Sequence, residues 1–291
     1  MRRLTRSRGR VLTAVLVLCA VAAAAAVGIW LQFGERHALD TRYRAGGAAP
    51  DRVDIAASVQ RVDAAGRELV LRLLVTPRGN LAEAGGVSPA ETLTLQTSSS
   101  VRGDLTFPAH SRISTVDVPV TLSAGSITDY PFDAYETTLE FGAAVRDDDA
   151  VPVRMTLTNN DALFAADVGA AEAGGAAVFE VGLERSTSVL IFAVFMMAAM
   201  WALAVAVLIG AWFLVTRRKG LTWPALGWMA ATLFALAAFR NTAPGSPPIG
   251  SLLDYIAFLW AETVIAFCVV TVVVTGMRAE SHPADPPPAS P

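Results

Sequence analysis

Four apolar runs, at 11–31, 188–215, 221–239 and 253–275, constrain this chain of 291 residues more than any other feature. A bilayer's hydrocarbon core is about 30 Å thick and a helix rises about 1.5 Å per residue, so roughly 20 apolar residues cross it. The cationic residues sort the ends of these runs. Arg2, Arg3, Arg6, Arg8 and Arg10 precede the first run, Arg217, Arg218 and Lys219 follow the second, and Arg278 follows the last. With four crossings every one of these groups falls on one side, and cytoplasmic flanks collect Lys and Arg. The pattern therefore predicts a multi-pass plasma-membrane protein with both termini in the cytoplasm.

The predicted order is a basic tail 1–10, a helix 11–32, an extracytoplasmic domain 33–187, a helix 188–215, a loop 216–220, a helix 221–239, an external loop 240–252, a helix 253–275 and a proline-rich, disordered cytoplasmic tail 276–291. The first run exceeds the roughly 7–15 apolar residues of a cleaved signal, which favours an uncleaved anchor. The second run is longer than the core it crosses, so it tilts or begins above the bilayer.

Residues 33–187 hold 22 acidic and 13 basic side chains, a net charge of −9. An acidic exterior argues against nucleic acid as a partner, because phosphate binding needs a cationic face. It favours solubility and attraction of cations. The two cysteines, Cys19 and Cys268, both fall in apolar runs, so the external domain is expected to fold without a disulfide.

Within that domain, short segments alternate apolar and polar residues, the period of a half-buried strand. Val53 to Val59, Leu69 to Val75, Leu93 to Leu95, Ile113 to Leu122, Tyr135 to Phe141, Val151 to Leu157 and Phe179 to Leu183 make seven such segments. Turn-forming residues between them suggest an immunoglobulin-like sandwich, with a barrel as the alternative. Gly169 to Ala177 reads as a connecting loop. Asp147-Asp148-Asp149 and Asn159-Asn160-Asp161 flank one strand about 30 Å long, too far apart to share an ion. Each reads as a solvated turn, and no metal or cofactor is expected.

The sharpest local pattern is Tyr130-Pro131-Phe132-Asp133. Proline fixes its own φ and biases Tyr130 toward extended geometry, while Asp133 is placed to accept from nearby backbone donors. The tetrapeptide resembles the aromatic-Pro-Phe-Asp turn of pentameric ligand-gated channels, without the bracketing cysteines of their animal members and with one span before the domain and three after it. A second candidate region is the loop that opens with Arg240-Asn241 and runs through Pro247-Pro248 to Gly250, followed by Asp254-Tyr255. Together with the anchor and the Tyr-Pro-Phe-Asp turn, it resembles domain-of-unknown-function family 4436, actinobacterial membrane proteins. The resemblance implies a membrane location and no established activity.

Glu262, eight residues beyond Asp254, is the one acid deep inside a span. An intramembrane carboxylate is either a proton or cation site or a packed neutral acid bonded to a neighbouring helix. Counting inward from Arg240 brings Thr232 to its depth. Small residues at Ala198, Ala202, Ala206 and Gly210, and at Gly227, Ala231 and Ala235, predict that the second and third spans pack as a close hairpin.

Catalytic constellations are scarce. His37, His110 and His282 are the only histidines, and no zinc-protease helix, phosphate loop or nucleophile elbow is present. The expected function is binding or scaffolding in the cell envelope, with the bilayer, other envelope proteins or further copies of the chain as partners. The alternatives are an oligomeric channel or transport component that couples the domain to the helices, and an external hydrolase using His37 or His110.

Overall fold

The computed structural model describes residues 41–83, 86–99, 102–146, 149–217 and 222–281, together with the helical positions 15, 18, 19, 22, 23, 25–30, 33 and 34. The N-terminal arginines, His37, Asp147, Asp148, Arg218, Lys219, His282 and the tail beyond 281 lie outside the described residues. The chain forms two compact units, a β-sandwich and a helical unit that begins at Phe192 and also takes in Ile127–Pro131.

Eleven strands build the sandwich: β1 Arg42–Gly46, β2 Arg52–Asp63, β3 Glu68–Arg78, β4 Leu93–Thr97, β5 Leu105–Phe107, β6 Val116–Thr121, β7 Ala134–Val145, β8 Asp149–Val151, β9 Val153–Asn159, β10 Phe164–Ala173 and β11 Ala176–Arg185. One sheet runs β1-β9-β2-β3-β6, and the other runs β10-β11-β7-β4-β5 with β8 beside β7. All pairings are antiparallel except β2 with β9. The alternation read in the sequence sets the faces. Val53, Ile55 and Val59 of β2, Leu69, Leu71 and Leu73 of β3, Leu139 and Phe141 of β7 and Phe179, Val181 and Leu183 of β11 all bury into one core. A side chain of that size gains about 1.5–3 kcal/mol on full burial, so the core stands without a disulfide.

The structure corrects the strand map in two places. Among the described residues eleven strands replace the expected seven, and Gly169 to Ala177 is no simple connection: β10 and β11 form a long hairpin closing at Gly174-Gly175. The strand β10, Phe-Ala-Ala-Asp-Val-Gly-Ala-Ala-Glu-Ala, has too few large side chains for its alternation to register. Asn159 and Asp161 are buried, not solvated. Asp161 accepts from the Val62 N–H at 2.7 Å and the Leu163 N–H at 2.8 Å, and Asn159 donates to the Phe164 carbonyl at 2.7 Å, so together they tie the β9–β10 connection to β2.

Four helices follow the chain order. The first, α1, is helical through 25–30; α2 is Thr187–Thr216, α3 is Trp223–Arg240 and α4 is Leu259–Ser281, entered through a π-helical turn at Asp254–Phe258. Among the described residues, two helical stretches, α2 and the continuous Asp254–Ser281, are long and apolar enough to cross a membrane. The helix α3 has 18 residues. Its first turn carries Pro224, where the missing N–H costs no helical bond.

Helix packing departs from the expected seam. Met229, Thr232 and Leu236 of α3 are buried, and α3 packs along α4, which buries Ala261, Ile265, Cys268, Val272 and Gly276. Ala198, Ala202 and Ala206 are exposed, as are Gly227, Ala231 and Ala235. On α2 the buried stripe is instead Ala193, Met196, Met200, Ala204, Val207 and Ala211, at spacings of three and four. Gly210 does lie near α3, where an added Cβ would come within 3.5 Å of the Trp228 ring.

Candidate functional site

Three groups of side chains stand out, two in the sandwich and one in the helical unit. Parity along β11 places Arg185 on the core side of its strand, one step beyond Phe179, Val181 and Leu183. A cation there demands an acid, and Asp133, just ahead of β7, supplies it. Arg185 donates from Nε to both Asp133 oxygens at 3.0 Å and pairs through Nη2 at 2.9 Å, with side chains 2% and 0% exposed. Tyr135 donates its hydroxyl to the same carboxylate at 2.8 Å. The guanidinium lies 4.2 Å over the Phe164 ring, which also meets Tyr135 edge-on. Asp133 was expected to hold backbone donors; it serves a buried arginine that reading the turn alone overlooked.

The rest of the tetrapeptide divides. Tyr130 is fully buried, its peptide bond to Pro131 is cis, and its carbonyl accepts from Leu253 N–H at 3.2 Å within the helical unit. Phe132 is 57% exposed.

At the α3–α4 connection, Arg240 and Asp254 are buried and paired through two bonds of 2.7 Å. Arg240 also donates to the carbonyls of Pro247 at 3.0 Å and Pro248 at 2.9 Å. Proline offers no N–H, so these carbonyls are the polar groups that a cation can hold. Asp254 Oδ2 accepts from the Gly250 N–H at 2.8 Å and the Ser251 N–H at 3.2 Å. Gly250 turns at φ +97°, a conformation that glycine adopts without strain. Asn241 caps α3 through its backbone and takes no part in the pair.

Glu262 is half-buried on α4 and, among the described residues, carries no hydrogen bond or ion pair. The Thr232 hydroxyl expected at its depth donates instead to Trp228 of its own helix at 2.9 Å. His110 pairs through Nδ1 with Glu83, and Ser98 is engaged with the backbone of β7.

The third group, missed by motif reading, lies on the outer face of β10-β11-β7. A groove of about 620 Å³ is lined by Glu136, Thr138, Asp167, Gly169, Glu180 and Gly182. Register explains its shape: Gly182 lies between Asp167 and Glu136, and Glu180 lies between Gly169 and Thr138, so the glycines leave slots beside the carboxylates. Glu140 and Glu184 share this face. Among the described residues none of these five acids is in an ion pair. Arg67, near one end, donates to the Leu122 and Ser123 carbonyls at 3.4 Å instead. Every second residue of β7 from Glu136 to Glu140 and of β11 from Glu180 to Glu184 is polar or glycine, a signal present in the alternation itself.

The molecule is thus a β-sandwich protein that carries, among the described residues, two helices long and apolar enough to cross a membrane. Residues 43–183 match the family model Domain of unknown function (DUF4436), and residues 185–279 match a second, Domain of unknown function (DUF8686). The two matches meet where β11 ends. No curated protein matches it.

Proposed function

We propose that the protein is a multi-pass plasma-membrane binding protein of the cell envelope, with both termini cytoplasmic and the sandwich outside. The helices support the membrane reading. The sides of α2 present Leu203, Val205, Leu208, Ile209 and Phe213 outward, a surface suited to lipid tails. Tyr255 and Trp260 near the start of α4, and Trp212 and Trp223 at the opposite ends of their helices, suit the two interfacial belts where aromatic residues gather. In this reading α1 and α3 complete four spans, and Arg217 and Arg278 mark the cytoplasmic ends.

The observation that carries the binding reading is the acidic groove. Uncompensated carboxylates beside glycine slots attract a cationic group, and low-dielectric walls focus that field. Binding of an arginine-rich decapeptide to the full chain in nanodiscs, compared with an acidic decapeptide, tests it. The basic peptide is expected to bind, and Glu136→Gln with Asp167→Asn and Glu180→Gln to weaken it by about tenfold. Equal binding of both peptides, or no effect of the triple variant, would refute the groove as the binding surface.

A second reading, an oligomeric channel or transport component, draws on the division of the Tyr130 to Asp133 turn, whose first two residues belong to the helical unit and last two to the sandwich. Cation flux in reconstituted vesicles, abolished when the turn is altered, is its measurement.

A further inference from the structure

We infer that the acidic face binds the opposite face of a second copy of this chain, so that sandwiches associate head to tail. This rests on the groove being the binding surface and names its partner. The outer face of the other sheet is arginine-rich. Arg42 and Arg44 of β1, Arg154 of β9, Arg52 of β2 and Arg72 and Arg78 of β3 point outward, because Tyr43, Ala45, Val53, Leu71, Leu73, Pro77, Val153 and Met155 on the same strands point in or to the edge.

Neutralisation within this face is incomplete. Asp54 is shared by Arg52 at 2.7 Å and Arg78 at 2.8 Å, and Arg72 is taken by Asp117. Arg154 stands cross-strand from that shared Asp54, with Gly46 on its other side, and Arg44 lies one row further along. Among the described residues Arg42, Arg44 and Arg154 make no ion pair. Three uncommitted guanidiniums on one sheet thus match five uncommitted carboxylates on the other.

The two faces belong to the same sandwich but look in opposite directions, so one copy cannot satisfy itself. A contact between unlike faces is heterologous: it leaves a free face at each end and propagates into a ring or a row. Four or five strands at about 4.8 Å and roughly ten residues at about 3.3 Å give each face on the order of 700 Å². A standard interface needs about 800 Å² from each partner, so the faces are large enough to matter and dependent on their charges for orientation. Arginine matches this role because its planar fork meets a carboxylate with two bonds.

The test uses the full chain in nanodiscs or native membranes with Cys19→Ser and Cys268→Ser, carrying Thr138→Cys on the acidic face or Thr156→Cys on the basic face. A short bis-maleimide should join Thr138→Cys chains to Thr156→Cys chains, and neither to itself, with yield falling as salt is raised. Reversing the acidic face (Glu136→Arg, Glu180→Arg) or the basic face (Arg44→Glu, Arg154→Glu) in both partners should each lower the yield by about tenfold or more. Mixing the two reversed chains pairs unlike faces again and should restore it, which a misfolded variant could not do. Yields unmoved by either reversal, or no unlike-face crosslink in the unaltered background, overturn the proposal. If the acidic reversal abolishes binding of the arginine-rich peptide while the basic reversal leaves crosslinking intact, the groove stands and a second copy is not its partner.

Discussion

Arg185, the last residue of β11, reaches back across 52 positions to Asp133 and holds its carboxylate by a fork of hydrogen bonds in a site closed to water. Thr187, two residues later, already begins α2. The pair therefore seals the sandwich at the point where its chain turns into a helix. The guanidinium's position over Phe164 adds a cation–π contact to the ion pair.

Removing one partner strands the other without water. Asp133→Ala or Arg185→Ala is expected to cost about 3–5 kcal/mol of stability, whereas Asp133→Leu with Arg185→Met should cost clearly less than either. Chemical unfolding of the solubilised full chain measures all three. A double variant as unstable as either single would show that the ion pair itself supplies the stability.

The Arg240 to Asp254 pair holds a loop rather than a core. Asp254→Asn keeps the shape but removes the charge that gathers Arg240, Gly250 and Ser251, so the 242–249 segment should become cleavable. Limited proteolysis is expected to cut there at least severalfold faster in Asp254→Asn than in the parent, with Asp254→Ala faster still, given the about 3–5 kcal/mol cost of an unpaired buried charge. Unchanged cleavage would mean that the prolines alone fix the loop.

Asp54 makes the sandwich sensitive to acid. Burial raises the Asp54 carboxyl, but hydrogen bonds from Arg52 and Arg78 outweigh it and leave its pKa below the ordinary range. A lowered folded pKa contributes stability that is complete above the unfolded value near 3.9 and is lost as pH falls through the folded one. The stability difference between the parent and Asp54→Asn should stay constant from about pH 6 to 8 and shrink below about pH 4. A difference that grows on acidification would contradict this.

Glu262 has no partner among the described residues that a substitution could break. Glu262→Gln should shift the thermal midpoint by less than about 2 °C, the effect of a change within about 0.5 kcal/mol. A larger loss would reveal a packing role, and altered cation flux at normal stability would mark a relay.

Much of this architecture was legible in the sequence. Alternating large apolar and polar side chains wrote out β2, β3, β7, β9 and β11, because they differ strongly in hydropathy from one face to the other. The strand β10 was hidden by alanine and glycine, which carry little contrast. Asp133, Arg240 and Asp254 were visible as unusual residues, but the partner of Asp133 was not, since it depends on a strand pairing 52 positions away. The groove escaped for a related reason: Asp167, Glu180 and Glu136 sit on three strands, and only register makes them neighbours.

The π-helical turn at Asp254–Phe258 absorbs one residue at the entrance to α4. Trp201 donates to the Ile256 carbonyl within this turn at 3.2 Å. A π turn holds one residue more than the α turn it replaces, so deleting a single residue there would close it to a plain α turn and leave the phase of α4 nearly unchanged. The same deletion within the regular helix that follows would rotate everything after it by about 100° and swing residues such as Ile265, Cys268 and Val272 away from the positions in which they are now buried. One residue of slack sits at the mouth of α4, and a one-residue deletion should be tolerated within Asp254–Phe258 far better than beyond it.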